Sequence, residues 1–216
     1  MNLPTRILLG ASLALALSYL FAPELTNYPM QALIKTVPVW ILAWVAFTQA
    51  PPTLRAPLAL ALVFSGFGDF ALASPMALSF PLGMLAFLIG HLFYLWIFTR
   101  QLRPWRQLDG SRRLMILLLA GYAIVMGGLI LPRTGVLMPA IAVYFAVLTV
   151  MAAASFAGWA PRWTRLGALL FVLSDTLIGI DRFLVPLEFR HIAVMSTYYT
   201  AQVLIMAGLC WQNKKT

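Results

Sequence analysis

The amino-acid sequence predicts an all-α fold: a polytopic membrane helix bundle of eight transmembrane helices, one domain over residues 1–216, with both termini cytoplasmic. Three observations carry this. Hydrophobic residues make up 62% of the 216 and charged ones only 10%, with a mean hydropathy of +0.90, whereas a soluble domain is roughly half apolar and a quarter charged. The apolar residues fall into eight runs, each close to the roughly 20 residues needed to cross a hydrocarbon core. The basic residues gather in alternate gaps between those runs, as orientation in a membrane requires.

The first run, about 6–22, follows Arg6 and leads to no small-residue cleavage site, so it reads as a retained helix rather than a signal peptide. The others are expected at about 30–49, 57–73, 79–99, 113–131, 136–156, 164–184 and 192–211, separated by gaps that carry Pro, Gly, Asn and Arg. No soluble domain, long linker or low-complexity tract remains, so any function has to reside within the bundle.

Assigning the gaps to alternate sides puts eleven of the fifteen Lys and Arg on one side: Arg6, Arg55, Arg100, Arg103, Arg106, Arg112, Arg113, Arg162, Arg165, Lys214 and Lys215. Lys35, Arg133, Arg182 and Arg190 stay on the other, which makes the first side cytoplasmic. The formal charge of +9 is therefore a topology signal, and nucleic-acid binding is not expected. A single cysteine, Cys210, excludes a disulfide framework within the chain and any cysteine-rich metal site.

An ionisable side chain inside a spanning helix costs on the order of 2.5–3.5 kcal/mol at the centre, so each is a functional candidate. The candidates are Lys35, Asp69, His91 and Asp175, with Asp181 and Arg182 further along the seventh helix. Lys35 and Arg182 are near enough to a helix end to snorkel, and Arg182 is expected to; an aspartate, with one methylene, is not. Counted along each helix at about 1.5 Å per residue, Asp69, Asp175, Lys35, His91, Tyr198 and Gln202 all fall between mid-bilayer and its outer third. They are expected to share one cavity. Ser65 and Asp69 are four residues apart, as are Tyr198 and Gln202, while Gly83, Phe87, Gly90, His91 and Tyr94 follow the spacing of one helical face. Ser65 and Ser174 are expected to hydrogen-bond the neighbouring aspartates. Gly66, Gly68, Gly83, Gly90, Gly167 and Gly179 read as close-approach points between helices. A weak internal echo, offset by about 106 residues, relates Phe64–Leu72 to Phe171–Ile178 and suggests a four-plus-four repeat.

Two carboxyl groups in a low-dielectric site divide their protonation states, because burial and mutual repulsion split them. One then serves as an acid and the other as a base, which suits hydrolysis through an oxocarbenium-like species. Zinc chemistry is not expected, since His91 and His191 are the only histidines and no H-x-x-x-H spacing occurs. No G-x-S-x-G nucleophile elbow is present either.

Gly68-Asp69, the face bearing Phe87, His91 and Tyr94, the string GALLFVLSDTLIGIDRF from Gly167 to Phe183 and the string TYYTAQVLI from Thr197 to Ile205 resemble the YhhN-type lysoplasmalogenases. The resemblance spans helices two to eight. It implies an eight-helix membrane enzyme that hydrolyses the vinyl ether of a lysophospholipid substrate, releasing a fatty aldehyde and glycerophosphocholine or glycerophosphoethanolamine, with no cofactor. It further implies Asp69 and Asp175 as the catalytic pair, with Lys35, His91, Tyr198 and Gln202 lining the site. Ser65, Tyr94 and Ser174 are expected beside them. The family's second-helix lysine is commonly followed by proline, whereas here Thr36 follows Lys35 and the proline stands at Pro38. A bacterial inner membrane, with its lipids as surroundings, is the expected location.

Two other readings share these residues. Gly66-Phe67-Gly68-Asp69 spells G-x-G-D, a string of intramembrane aspartyl proteases, but there it follows its partner aspartate and here it precedes it. Membrane carboxylates also serve proton-coupled small-solute transporters.

Overall fold

Eight long helices, and no strand among the described residues, make up the computed structural model, which describes residues 2–21 and 27–211. They are α1 (Leu3–Phe21), α2 (Met30–Gln49), α3 (Pro52–Ala73), α4 (Ser79–Thr99), α5 (Gly110–Ile130), α6 (Met138–Ala157), α7 (Arg162–Phe183) and α8 (Arg190–Trp211). Each matches an expected run, and position 22 of the first lies outside the described residues. Seven are long and apolar enough to cross a membrane; α7, as long as α3 and α8, is the exception. It carries Arg162, Arg165, Asp175, Asp181 and Arg182, more charge than any other helix of the chain. The protein is thus a polytopic integral membrane bundle, with large apolar side chains such as Leu117, Leu118, Ile124 and Val125 on the exposed face of α5.

The helices α3, α5 and α7 begin two to five residues before their apolar runs. Their first turns are built from Pro52, from Asp109 as N-cap and from Arg162, residues that suit an interface and leave no mark in a hydropathy window. Asp109 accepts from the Ser111 hydroxyl at 2.5 Å and the Arg112 amide at 3.0 Å, and these bonds hold its carboxyl below the ordinary carboxylate range.

The chain divides into two compact units, one comprising the residues up to Tyr94 with the chain from Leu209 onward, the other Leu95–Gly208. In the first, the Ser12 hydroxyl of α1 donates to the Pro38 carbonyl of α2 at 2.9 Å. The Trp40 indole of α2 lies against Gly66 of α3, where a Cβ would collide with it, and donates to the Val63 carbonyl at 3.2 Å. Along α3 and α4 three glycines mesh in antiparallel order. A Cβ on Gly90 would stand 3.0 Å from the Ala61 carbonyl oxygen, one on Gly68 2.5 Å from the Phe87 ring, and one on Gly83 2.7 Å from Leu72. These are the close approaches the glycines predicted.

In the second unit α5 and α6 are joined by two short 3-10 turns, Leu131–Arg133 and Gly135–Leu137, and Gly135 takes the left-handed φ of 57° that closes the connection. The segment between α4 and α5 is tied to the end of α6 by Arg103 N–H to the Ala157 carbonyl and by the Arg112 guanidinium to the Gly158 carbonyl, both at 2.9 Å. The helices α7 and α8 mesh antiparallel: Gly208 lies against Thr164, Gly167 against the Ala201 carbonyl and Ile205, and Phe171 edge-on to Tyr198. At their far end Asp181 forms an ion pair with Arg190 at 2.8 Å and accepts from the Leu187 amide at 3.1 Å. Arg182 is exposed, with its guanidinium over the Phe183 ring, as snorkelling predicts.

Candidate active site

Packing around α3 determines where Asp69 points. Its neighbours on the helix, Ser65, Gly66 and Gly68, are all buried, so this part of α3 is enclosed by α2 on one side and α4 on the other. Asp69 is 1% exposed, and the ammonium of Lys35 on α2, itself 7% exposed, stands 3.4 Å from its Oδ1. A carboxylate with so little access to water needs a partner of opposite charge, and Lys35 supplies it. Pro38, three residues along, is buried in the same helix, so the shift of the proline does not remove the lysine from the interior.

On α4 the face predicted from spacing is the buried one. Gly83, Phe87, Gly90, His91 and Tyr94 all lie inside, His91 at 1% exposure and directly after the glycine that touches Ser65. Ser65 departs from expectation: its hydroxyl donates to the Ala61 carbonyl of its own helix at 2.9 Å, not to Asp69. Back-bonding to the fourth preceding carbonyl is the usual recourse of a serine where no water is at hand.

In the second unit Asp175 is half-buried and more open than Asp69. Its Oδ2 accepts from the phenol of Tyr144 on α6 at 2.5 Å. Tyr144 was not among the expected site residues. Its sequence signal is slight, because a tyrosine in an apolar helix also serves as a packing group. Ser174 again departs from expectation, donating across to the Val194 carbonyl of α8 at 3.1 Å instead of to Asp175. On α8, Tyr198 and Gln202 are both buried and lie one turn apart, with Tyr198 edge-on to Phe171 at 5.5 Å. Asp175 follows Phe171 by one turn on α7, so Tyr198 packs against the same side of that helix.

Asp69 thus faces an ammonium, and Asp175 accepts from a phenol. Among the described residues no group of three or more His, Cys, Asp or Glu is placed to hold a metal.

Comparison with known proteins places these residues in a family context. The YhhN family matches residues 30–209. The chain is similar to a protein of Bos taurus named lysoplasmalogenase TMEM86A, 33% identical over 204 residues that cover 86% of this chain and 80% of the relative. It is similar to lysoplasmalogenase TMEM86B of Homo sapiens, 35% identical with 86% and 78% covered, and to a lysoplasmalogenase of Mycobacterium bovis, 31% identical with 86% and 72% covered. No solved structure matches. Because the family match runs from the start of α2 to near the end of α8 and takes in Lys35, Asp69, His91, Tyr144, Asp175 and Gln202, the chain belongs to the YhhN family.

Proposed function

We propose that this protein is a lysoplasmalogenase, which cleaves the vinyl ether of an alkenyl-glycerophospholipid by general acid and base catalysis from Asp69 and Asp175. The observation that carries the reading is the similarity to proteins named lysoplasmalogenase along most of both chains. Asp175, which accepts from the Tyr144 phenol, protonates the vinyl carbon β to oxygen; the double-bond electrons form the new C–H bond and leave an oxocarbenium ion. Asp69, opposite the Lys35 ammonium, takes a proton from water as the water oxygen bonds to the cationic carbon, giving a hemiacetal. In its collapse the hemiacetal hydroxyl returns a proton to Asp175, Asp69 passes its own to the departing glycerol oxygen, and aldehyde and glycerophospho-base leave. Both carboxyl groups end as they began. His91, Tyr94, Tyr198 and Gln202, with Ser65 and Ser174, line the substrate's path in this reading, and the apolar helices accommodate the alkenyl chain.

Purified protein in detergent is expected to release one fatty aldehyde per lysoplasmalogen consumed and to leave an ester-linked lysophospholipid of equal chain length intact. Absence of aldehyde would reject the reading. Activity is expected to survive chelation, and loss on chelation with recovery on added zinc would reject the metal-free mechanism.

The proposed location is a bacterial inner membrane, with both termini cytoplasmic. The gathering of eleven of the fifteen Lys and Arg on one side supports this orientation, and Arg100 over Trp96 at 4.5 Å and Arg162 over Trp163 at 5.0 Å are anchors suited to a membrane interface. Reporter fusions at Thr216 and within residues 101–109 are expected to report the cytoplasmic side. Periplasmic signal from both would invert the topology.

A further inference from the structure

Three successive residues of α7 are tethered to three different helices of their unit. Ser174 donates to the Val194 carbonyl of α8, Asp175 accepts from Tyr144 of α6, and Thr176 pairs through its hydroxyl with the Tyr122 phenol of α5. Successive residues of a helix project about 100° apart, so tethers at 174, 175 and 176 reach α7 from three directions and fix its rotation about its own axis. Two of them end on groups with no acid or base chemistry to perform: a main-chain carbonyl and a threonine hydroxyl that also donates to the Val172 carbonyl at 2.5 Å. The Tyr144 bond alone ends on a carboxyl oxygen.

The first unit places its aspartate in the same way. Asp69 stands on the third helix of the chain and takes Lys35 from the second; Asp175 stands on the third helix of the second set of four, α5–α8, and takes Tyr144 from the second of that set. Tyr144 is thus the counterpart of Lys35 in the second set. An aspartate rotates about two side-chain torsions, and the 2.5 Å bond to Oδ2 restrains both.

We infer that Tyr144 is a positioning residue of the reaction: it acts through Asp175, holding Oδ2 and with it the orientation of the carboxyl. The inference rests on the proposal that Asp175 is a reacting group. A reacting atom misplaced by about 1 Å loses on the order of 10²-fold in rate, so Tyr144→Phe, which removes one oxygen, is expected to lower kcat by roughly 10- to 100-fold. KM is expected to stay within about threefold, because the lost interaction is made to the catalyst and not to the ground-state lipid.

The decisive measurement is a double-mutant cycle on aldehyde release, with thermal unfolding in detergent followed for every variant. In the Asp175→Asn background Tyr144→Phe is expected to cause no further loss, since nothing remains for the phenol to position. Equal losses in both backgrounds would make Tyr144 a packing residue and overturn the inference while leaving Asp175 catalytic. Undiminished kcat in Tyr144→Phe alongside an inactive Asp175→Asn would overturn it as well, again sparing the wider reading. Full activity in Asp175→Asn would overturn both together. If Tyr144→Phe does not fold, Tyr144→His, which keeps a ring and an N–H donor, provides the second arm; the same failure to add to Asp175→Asn is expected, and additive loss overturns the inference.

Discussion

Asp69→Asn and Asp175→Asn are each expected to cut aldehyde release from lysoplasmalogen by roughly 10²- to 10⁴-fold, the contribution of one general acid or base. Asparagine keeps the shape of aspartate and can still accept a hydrogen bond from Lys35 or Tyr144, so both variants are expected to bind lipid, Asp69→Asn being the less stable because it removes the charge opposite the buried Lys35 ammonium. Asparagine has no proton to cycle. The double variant is expected to be little worse than the poorer single one, because both groups act on one transition state and removing either stops the sequence. Substrate binding, read by competition with an ester-linked lysophospholipid, is expected to change by less than about threefold. Near-normal turnover in both single variants would reject the two-aspartate mechanism even with the substrate correctly identified. Retained turnover in Asp69→Asn alone would leave Asp175 as the sole essential carboxyl and require another base for the water.

Lys35→Met is expected to produce the largest loss of stability. The ammonium lies 3.4 Å from a carboxylate that is 1% exposed. Removing one member of a buried ion pair typically costs about 3–5 kcal/mol, because the remaining charge is left in a low-dielectric interior. Methionine fills similar volume, so a cavity contributes little to the effect. The diagnostic comparison is Lys35→Met with Asp69→Asn: removing both charges is expected to recover most of the stability, measured by unfolding in detergent, while aldehyde release stays abolished. Recovery of stability without recovery of turnover separates the structural role of the pair from its chemical one. A double variant as unstable as the sum of the single ones would show that the pair is not what makes Lys35 necessary.

Much of this architecture was legible in the chain. Eight runs of about 20 apolar residues became eight helices because a hydrocarbon core satisfies no backbone hydrogen bonds and accepts only segments that satisfy their own. Asp69 and Asp175 stood out for the same reason, since a charge that cannot snorkel is costly unless the fold provides for it. The face bearing His91 and Tyr94 could be read from three-and-four spacing, and the close approaches from glycines. The helix starts were less legible. Pro52, Asp109 and Arg162 lie where an interface takes over from the hydrocarbon, and hydropathy carries no signal there.

The partners of the polar groups were not legible at all. Tyr144 and Tyr122 have the composition of ordinary packing residues, and their hydroxyls acquire meaning only where α5 and α6 lie against α7. Ser65 and Ser174 stand beside aspartates in the sequence yet bond to the carbonyls of Ala61 and Val194. A hydroxyl chooses among acceptors within about 3 Å, and neighbours across a helix contact are as near as neighbours along the chain. The sequence by itself determined the number of helices, their apolar faces and the positions of the costly carboxyls, because these follow from transfer out of water, a property each segment has alone. Tertiary structure alone decided that Asp69 faces an ammonium and Asp175 a phenol, because hydrogen bonding depends on distance and angle between groups that only helix packing brings together.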